Sequence, residues 1–220
     1  MGNLSIIQTI AIWALPLLFA ITLHEVAHGW VASFFGDQTA RLSGRLSLNP
    51  LRHIDPVGTV LVPLMLMVMR VPFIFGWAKP VPVDSRNMRH PKRDLALVAL
   101  AGPMSNIVMA FAWGLLAKLG MLVVAGNPWL GVPLFRMGVA GIQINVMLGV
   151  LNLLPIPPLD GGNILCGLLP PRAEYRYRQL EPYGFIILLL LMVSGVLFAV
   201  MAPMMSLLIN VVATFFGLMG

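Results

Sequence analysis

The chain has 220 residues, 59% hydrophobic and only 10% charged, with a mean hydropathy of +0.90, fractions that exclude an ordinary soluble domain and describe an integral membrane protein. The formal charge of +6 does not point to nucleic acid. Its lysines and arginines fall between apolar runs, where anionic headgroups and membrane orientation account for them.

A membrane helix needs about 20 predominantly apolar residues, and the first such run spans roughly 5 to 33. It lacks a basic n-region and continues into "HEVAHGW", so it is expected to be retained rather than cleaved as a secretory signal. It carries no formal charge until "ITLHEVAHGW", residues 21–30. On a helix, His24 and His28 project from one face about one turn apart, the separation two imidazoles need to grip one zinc ion, with Glu25 beside them as base rather than ligand. The bland alternative, histidines satisfied inside the bundle, is disfavoured because ionisable groups in a membrane are costly and usually functional.

Beyond this run, "RLSGRLSL" around Ser43-Gly44 suits a short hairpin. The stretch 57–75 is apolar but interrupted by Arg70. In "KPVPVD", prolines at 80 and 82 exclude a central strand and allow an edge one, which makes Val81 and Val83 candidate substrate-binding residues; a proline-rich connecting loop is the competing reading. His53 and His90, in basic, proline-flanked loops, read as solvated. Run 95–117 opens with "LALVALAGPMSN", where Ala101, Gly102 and Ser105 allow close packing on the metal-bearing helix. Asn106 then reads either as part of that packing or as a substrate contact.

Run 134–154 breaks in "LNLLPIPPLDGG". A catalytic zinc normally has three protein ligands and an open position, so two histidines are one short. Most acidic residues lie in charged loops; Asp160 does not. Unwound backbone at membrane depth is tolerated where it lines a water-filled cavity, which a hydrolytic site requires. The single cysteine, Cys166, excludes an internal disulfide and reads as a small hydrophobe. Two further apolar runs, about 183–201 and 203–219, close the chain, and the 15 methionines, mostly in such runs, are ordinary packing residues.

"HEVAHG", "LALVALAGPMSN" and "NLLPIPPLDGG", with "NPLRHIDPVGT" and "GWAKPVPVD", resemble the site-2 protease family of zinc intramembrane metalloproteases, and most closely its compact members without a PDZ domain. The resemblance covers about 20–165. It implies His24, His28 and Asp160 as ligands of one Zn²⁺, Glu25 as catalytic acid/base, and Asn152 as a catalytic polar group contacting the substrate backbone or developing oxyanion. From the residues alone Asn152 is an amide on an apolar helix, for which helix-to-helix hydrogen bonding is the alternative.

The expected architecture is one all-α polytopic membrane domain over 1–220, with five to six transmembrane helices, a small membrane-associated β element and a re-entrant segment. The catalytic core is about 5–165, with additional C-terminal helices about 183–219. The expected activity is zinc-dependent hydrolysis of peptide bonds in or near transmembrane segments of membrane-protein substrates. A metal transporter would not need Glu25 after the first ligand, and an inactive scaffold would lose it. Both zinc-bearing ends must reach the same face, which holds if 57–75 does not cross. Twelve basic residues then share that side against Lys118 and Arg136, making it cytoplasmic.

Overall fold

The computed structural model of the chain describes residues 6–62, 65, 68 and 76–218. Its helices are α1 (Ile6–Phe34), α2 (Thr39–Leu42), α3 (Pro91–Val124), α4 (Pro128–Leu153), α5 (Asp160–Leu168), α6 (Pro171–Arg178), α7 (Gly184–Val193) and α8 (Val196–Phe216). Four candidate membrane spans lie among the described residues, Ile10–Phe34 within α1 and all of α3, α4 and α8. That is fewer than the five to six expected.

The difference arises at the C-terminus. Gly195 has φ 77°, a left-handed conformation that stops a helix. The apolar run from 183 is therefore cut after Val193, and α7, at 10 residues, reaches about 15 Å. The second helix starts at Val196 and continues through Pro203, where the sequence suggested a boundary.

The β element is not formed among the described residues. The expected hairpin is instead the end of α2 and a turn at Gly44 (φ 65°). Residues 79–84 have no regular secondary structure. Pro80 and Pro82 have no N–H to give to a ladder, and neighbouring groups are held by other parts of the chain. Lys79 N–H donates to the His53 carbonyl (2.9 Å), and Arg45 Nη2 donates to the Lys79 and Pro80 carbonyls (2.8 and 3.3 Å). His53, expected in solvent, is buried beneath this segment, with Nε2 on the Ser47 carbonyl (2.9 Å).

α3 and α4 form an antiparallel pair that approaches through small residues. A Cβ on Gly120, Gly131, Gly138 or Gly141 would overlap the facing helix at Phe135, Val124, Ala117 or Trp113. Without a hydrophobic drive between helices in lipid, such close van der Waals contact is what holds a bundle together. α8 lays Leu197, Met201 and Val212 on the same core as Ala110, Trp113, Ile142, Val146 and Val150.

α1 ends where α3 begins: Arg89 N–H donates to the Phe35 carbonyl (3.3 Å), and Asp84 N–H to buried Asp37 Oδ2 (2.7 Å). The connection 36–88 thus leaves and returns at one end of the bundle. Within it a neck closes over 58–77, where Trp77 N–H donates to the Gly58 carbonyl (3.1 Å) and Thr59 Oγ1 to the Trp77 carbonyl (2.8 Å). Residues 56–61 form a π turn; most of the expected re-entrant segment 57–75 lies outside the described residues.

Candidate metal centre

Three elements converge at the end of the bundle where α1 stops. In α1, the four-residue spacing brings the His24 and His28 rings edge to face with centroids 4.6 Å apart and Nε2 atoms 3.0 Å apart. The third side chain comes from the break after α4. Leu154 turns extended (φ −65°, ψ 134°), the prolines prevent the helix from resuming, and Asp160 opens α5. Gly161 packs so tightly on the Leu153 and Leu154 carbonyls that a Cβ would overlap them. This folds the turn back and brings Asp160 Oδ2 to 3.1 Å from His24 Nε2 and 3.3 Å from His28 Nε2.

The floor of the site is α3. A Cβ on Gly102 would overlap both imidazoles, so the small residue expected for packing is what admits the two rings. One turn on either side, α3 also orients them. His28 Nδ1 lies 2.7 Å from the Val98 carbonyl, which only accepts, so Nδ1 carries a proton there. His24 Nδ1 lies 2.7 Å from Asn106 Oδ1.

The orientation of that amide is fixed by a chain of bonds ending on backbone carbonyls. Asn145 Nδ2 donates to the Gly141 carbonyl (2.9 Å), leaving its Oδ1 to accept from Asn106 Nδ2 (3.0 Å). Asn106 Nδ2 also reaches the Ala20 carbonyl (3.2 Å). Asn106 Oδ1 is therefore the acceptor facing His24. Asn106 is fully buried, and its carboxamide is committed to His24, the Ala20 carbonyl and Asn145.

The other expected site residues are placed as follows. Glu25 Oε2 accepts from the Val81 N–H at 2.7 Å, which puts the 79–84 segment directly against the expected base. Val81 is buried, and Val83 packs against Ala32, Met88 and Val98. Asn152 is half-buried and donates to the Leu148 carbonyl of its own helix (3.1 Å). Asn145 and the Val98 carbonyl were not legible. The first is one more amide on an apolar helix, and a carbonyl has no side-chain signal.

The family model described as "Peptidase family M50" matches residues 119–195, a span that includes Asn152 and Asp160. Over 196 residues the chain is 40% identical to "Putative zinc metalloprotease YwhC" of Bacillus subtilis (strain 168), covering 87% of this chain and 84% of that protein. The chain belongs to peptidase family M50, the site-2 proteases. It is also 32% identical over 181 residues to "Putative zinc metalloprotease Rip2" of Mycolicibacterium smegmatis (strain ATCC 700084 / mc(2)155), covering 82% of this chain and 66% of that one. No solved structure matches the chain.

M50 proteins use zinc, and the donor set here fits that ion. With both Nδ1 protons committed, both Nε2 atoms present lone pairs to one another and to a carboxylate oxygen that is buried without a hydrogen-bond donor. A cation seated among these three atoms would meet all three lone pairs at once. All three ligand atoms lie within 4.8 Å of one another. Two imidazoles and one carboxylate, with each second ring nitrogen tied to an oxygen, is a donor set zinc takes in hydrolytic sites, with a coordination position left over.

Proposed function

We propose that this M50 protein is an intramembrane endopeptidase that hydrolyses peptide bonds within or near transmembrane segments of membrane-protein substrates. The observation that carries the reading is the convergence of His24, His28 and Asp160, with Glu25 next to the first ligand, on a helix long and apolar enough to span a membrane. Zinc held by those three residues supplies Lewis acidity, bringing a water's pKa toward neutrality and polarising a carbonyl. Glu25 takes the proton from the attacking water and returns it to the leaving amine. No side-chain nucleophile is required.

The Val81 N–H fixes one oxygen of Glu25 and leaves the other for the proton. Asn152, at the C-terminal end of α4, is proposed to donate to the substrate backbone or developing oxyanion. That role requires its carboxamide to leave the Leu148 carbonyl. An unwound substrate segment is proposed to lie along 79–84, beside Val81 and Val83, and to pair with the backbone groups of that segment that are not already engaged. The return of 36–88 to one end of the bundle supports placing the site nearer the face that carries most of the basic residues, the cytoplasmic one.

Purified protein with measured zinc content, reconstituted with a model single-span substrate, tests the reading. Cleavage mapped by mass spectrometry within or beside the span supports it; cleavage confined to soluble peptides, or zinc-loaded protein that leaves every spanning substrate intact, contradicts it.

A further inference from the structure

Outside the catalytic end, α8 presents an outward stripe of unusual composition. Val196, Val200, Pro203, Leu207, Asn210 and Thr214 are all exposed, at alternating intervals of four and three residues. That is the a/d spacing of a coiled-coil seam, 3.5 residues per repeat. It lies apart from the face that α8 buries through Leu197, Met201 and Val212.

Asn210 is the anomaly within the stripe. The Lys118 ammonium marks the far end of this helix, since a Cβ on Gly217 would lie 3.5 Å from Nζ. A cation there complements the helix C-terminus. Asn210, seven residues earlier, sits about 10 Å further into the bilayer. An exposed carboxamide at that depth, between Leu207 (64% exposed) and Val211 (46%), faces hydrocarbon that can satisfy neither its donors nor its acceptor.

We propose that this seam is a homodimer interface, in which α8 packs in parallel on α8 of a second copy and the two Asn210 carboxamides pair with each other. Copies inserted with one topology are related by a two-fold axis along the membrane normal. On that axis, residues of the seam meet their own counterparts at equal depth. A carboxamide holds both donor and acceptor, so two of them satisfy each other reciprocally. Buried polar pairs of this reciprocal kind set register in coiled coils, where the principle is established for a positions, and small or polar side chains hydrogen-bond across membrane helices in the same way. A different membrane partner would need a polar group at matching depth; a second copy supplies one automatically.

The test uses full-length protein in native membranes and does not depend on proteolysis. In a Cys166→Ser background, Leu207→Cys and Thr214→Cys should give oxidative dimers at least about 5-fold more abundant than Met205→Cys and Ile209→Cys, which lie on the core-packed face. In proteoliposomes, Asn210→Leu should weaken self-association about 3- to 15-fold by FRET dilution, the range expected for one hydrogen-bonded contact between membrane helices. Equal cross-linking at all four positions, cross-linking of Leu207→Cys to a co-reconstituted substrate helix instead of itself, or association unchanged by Asn210→Leu would overturn it.

Discussion

The Val81 backbone N–H donates to Glu25 Oε2 at 2.7 Å, joining the loop before α3 to the residue that follows His24. A valine read from sequence as part of a substrate-binding edge thus also orients Glu25, the proposed base. Val81→Pro removes that donor and extends an existing proline-rich stretch. It should lower kcat about 10- to 100-fold, less than the roughly 10²- to 10⁴-fold attributed to a general base as a whole because the carboxylate itself remains, while zinc content stays stoichiometric. Unchanged kcat with the same KM would show that Glu25 does not depend on this bond.

Asn106→Leu should weaken zinc binding about 10- to 100-fold, the usual cost of losing the partner of a metal-bound histidine. Chelator competition measures it directly. Asn145→Leu should have a smaller effect of the same sign, because Asn106 keeps its bond to the Ala20 carbonyl.

Gly102→Ala separates helix propensity from fit. In an unconstrained helix interior the change favours helix by about 0.8–1.0 kcal/mol. Here the added methyl overlaps both ligand rings, so zinc occupancy and proteolysis should fall together, with helix content by circular dichroism unchanged. Full zinc occupancy in the alanine variant would refute the contact.

Asp37 gives a pH dependence. Burial pushes its carboxyl up, but hydrogen bonds from Thr39, the Asp84 N–H and Asn87 outweigh that and hold it below its ordinary value. A lowered folded-state pKa means its stabilisation is complete above the unfolded value, about 3.9, and is lost as pH falls through the folded one. The junction of 37–39 with 84–87 should therefore loosen below about pH 4, detectable as faster proteolytic nicking of 79–90. Asp37→Asn, which turns a donor toward other donors, should loosen it at neutral pH by about 1–3 kcal/mol and abolish the acid dependence. Nicking that rises identically with acid in both proteins would assign the effect elsewhere.

The hydrogen bond between Trp77 and Gly58 brings the chain on either side of residues 59–76 together, and the proposed topology puts both on one side of the membrane. Single cysteines at Ser47 and Ser85, in a Cys166→Ser background, should be labelled by an impermeant reagent from the same side. Labelling from opposite sides would contradict the topology.

The three side chains that converge were legible because their chemistry is carried by rare residue types at fixed spacing. His24 and His28 share a helix face wherever that helix lies, and Asp160 stands alone among few acidic residues. Residues that hold those three side chains in place were less legible. Asn106 looks the same in sequence whether it packs, meets substrate or orients His24, and only burial with a committed amide separates these. The acceptor for His28 and the donor for Glu25 are backbone groups, which every residue has. At the C-terminus the sequence offers two breakers, Gly195 and Pro203; α8 runs through Pro203 and the break falls at Gly195. A proline removes one hydrogen bond, whereas a left-handed residue turns the chain out of the helix.

The central claim is that Glu25 moves the proton while His24, His28 and Asp160 hold the metal. Glu25→Gln keeps the size and the oxygen that accepts from Val81 but cannot take a proton, so reconstituted protein should retain one zinc per chain and lose cleavage of a spanning substrate by at least about 100-fold. Cleavage at the wild-type rate by the zinc-loaded glutamine variant would remove Glu25 from the mechanism.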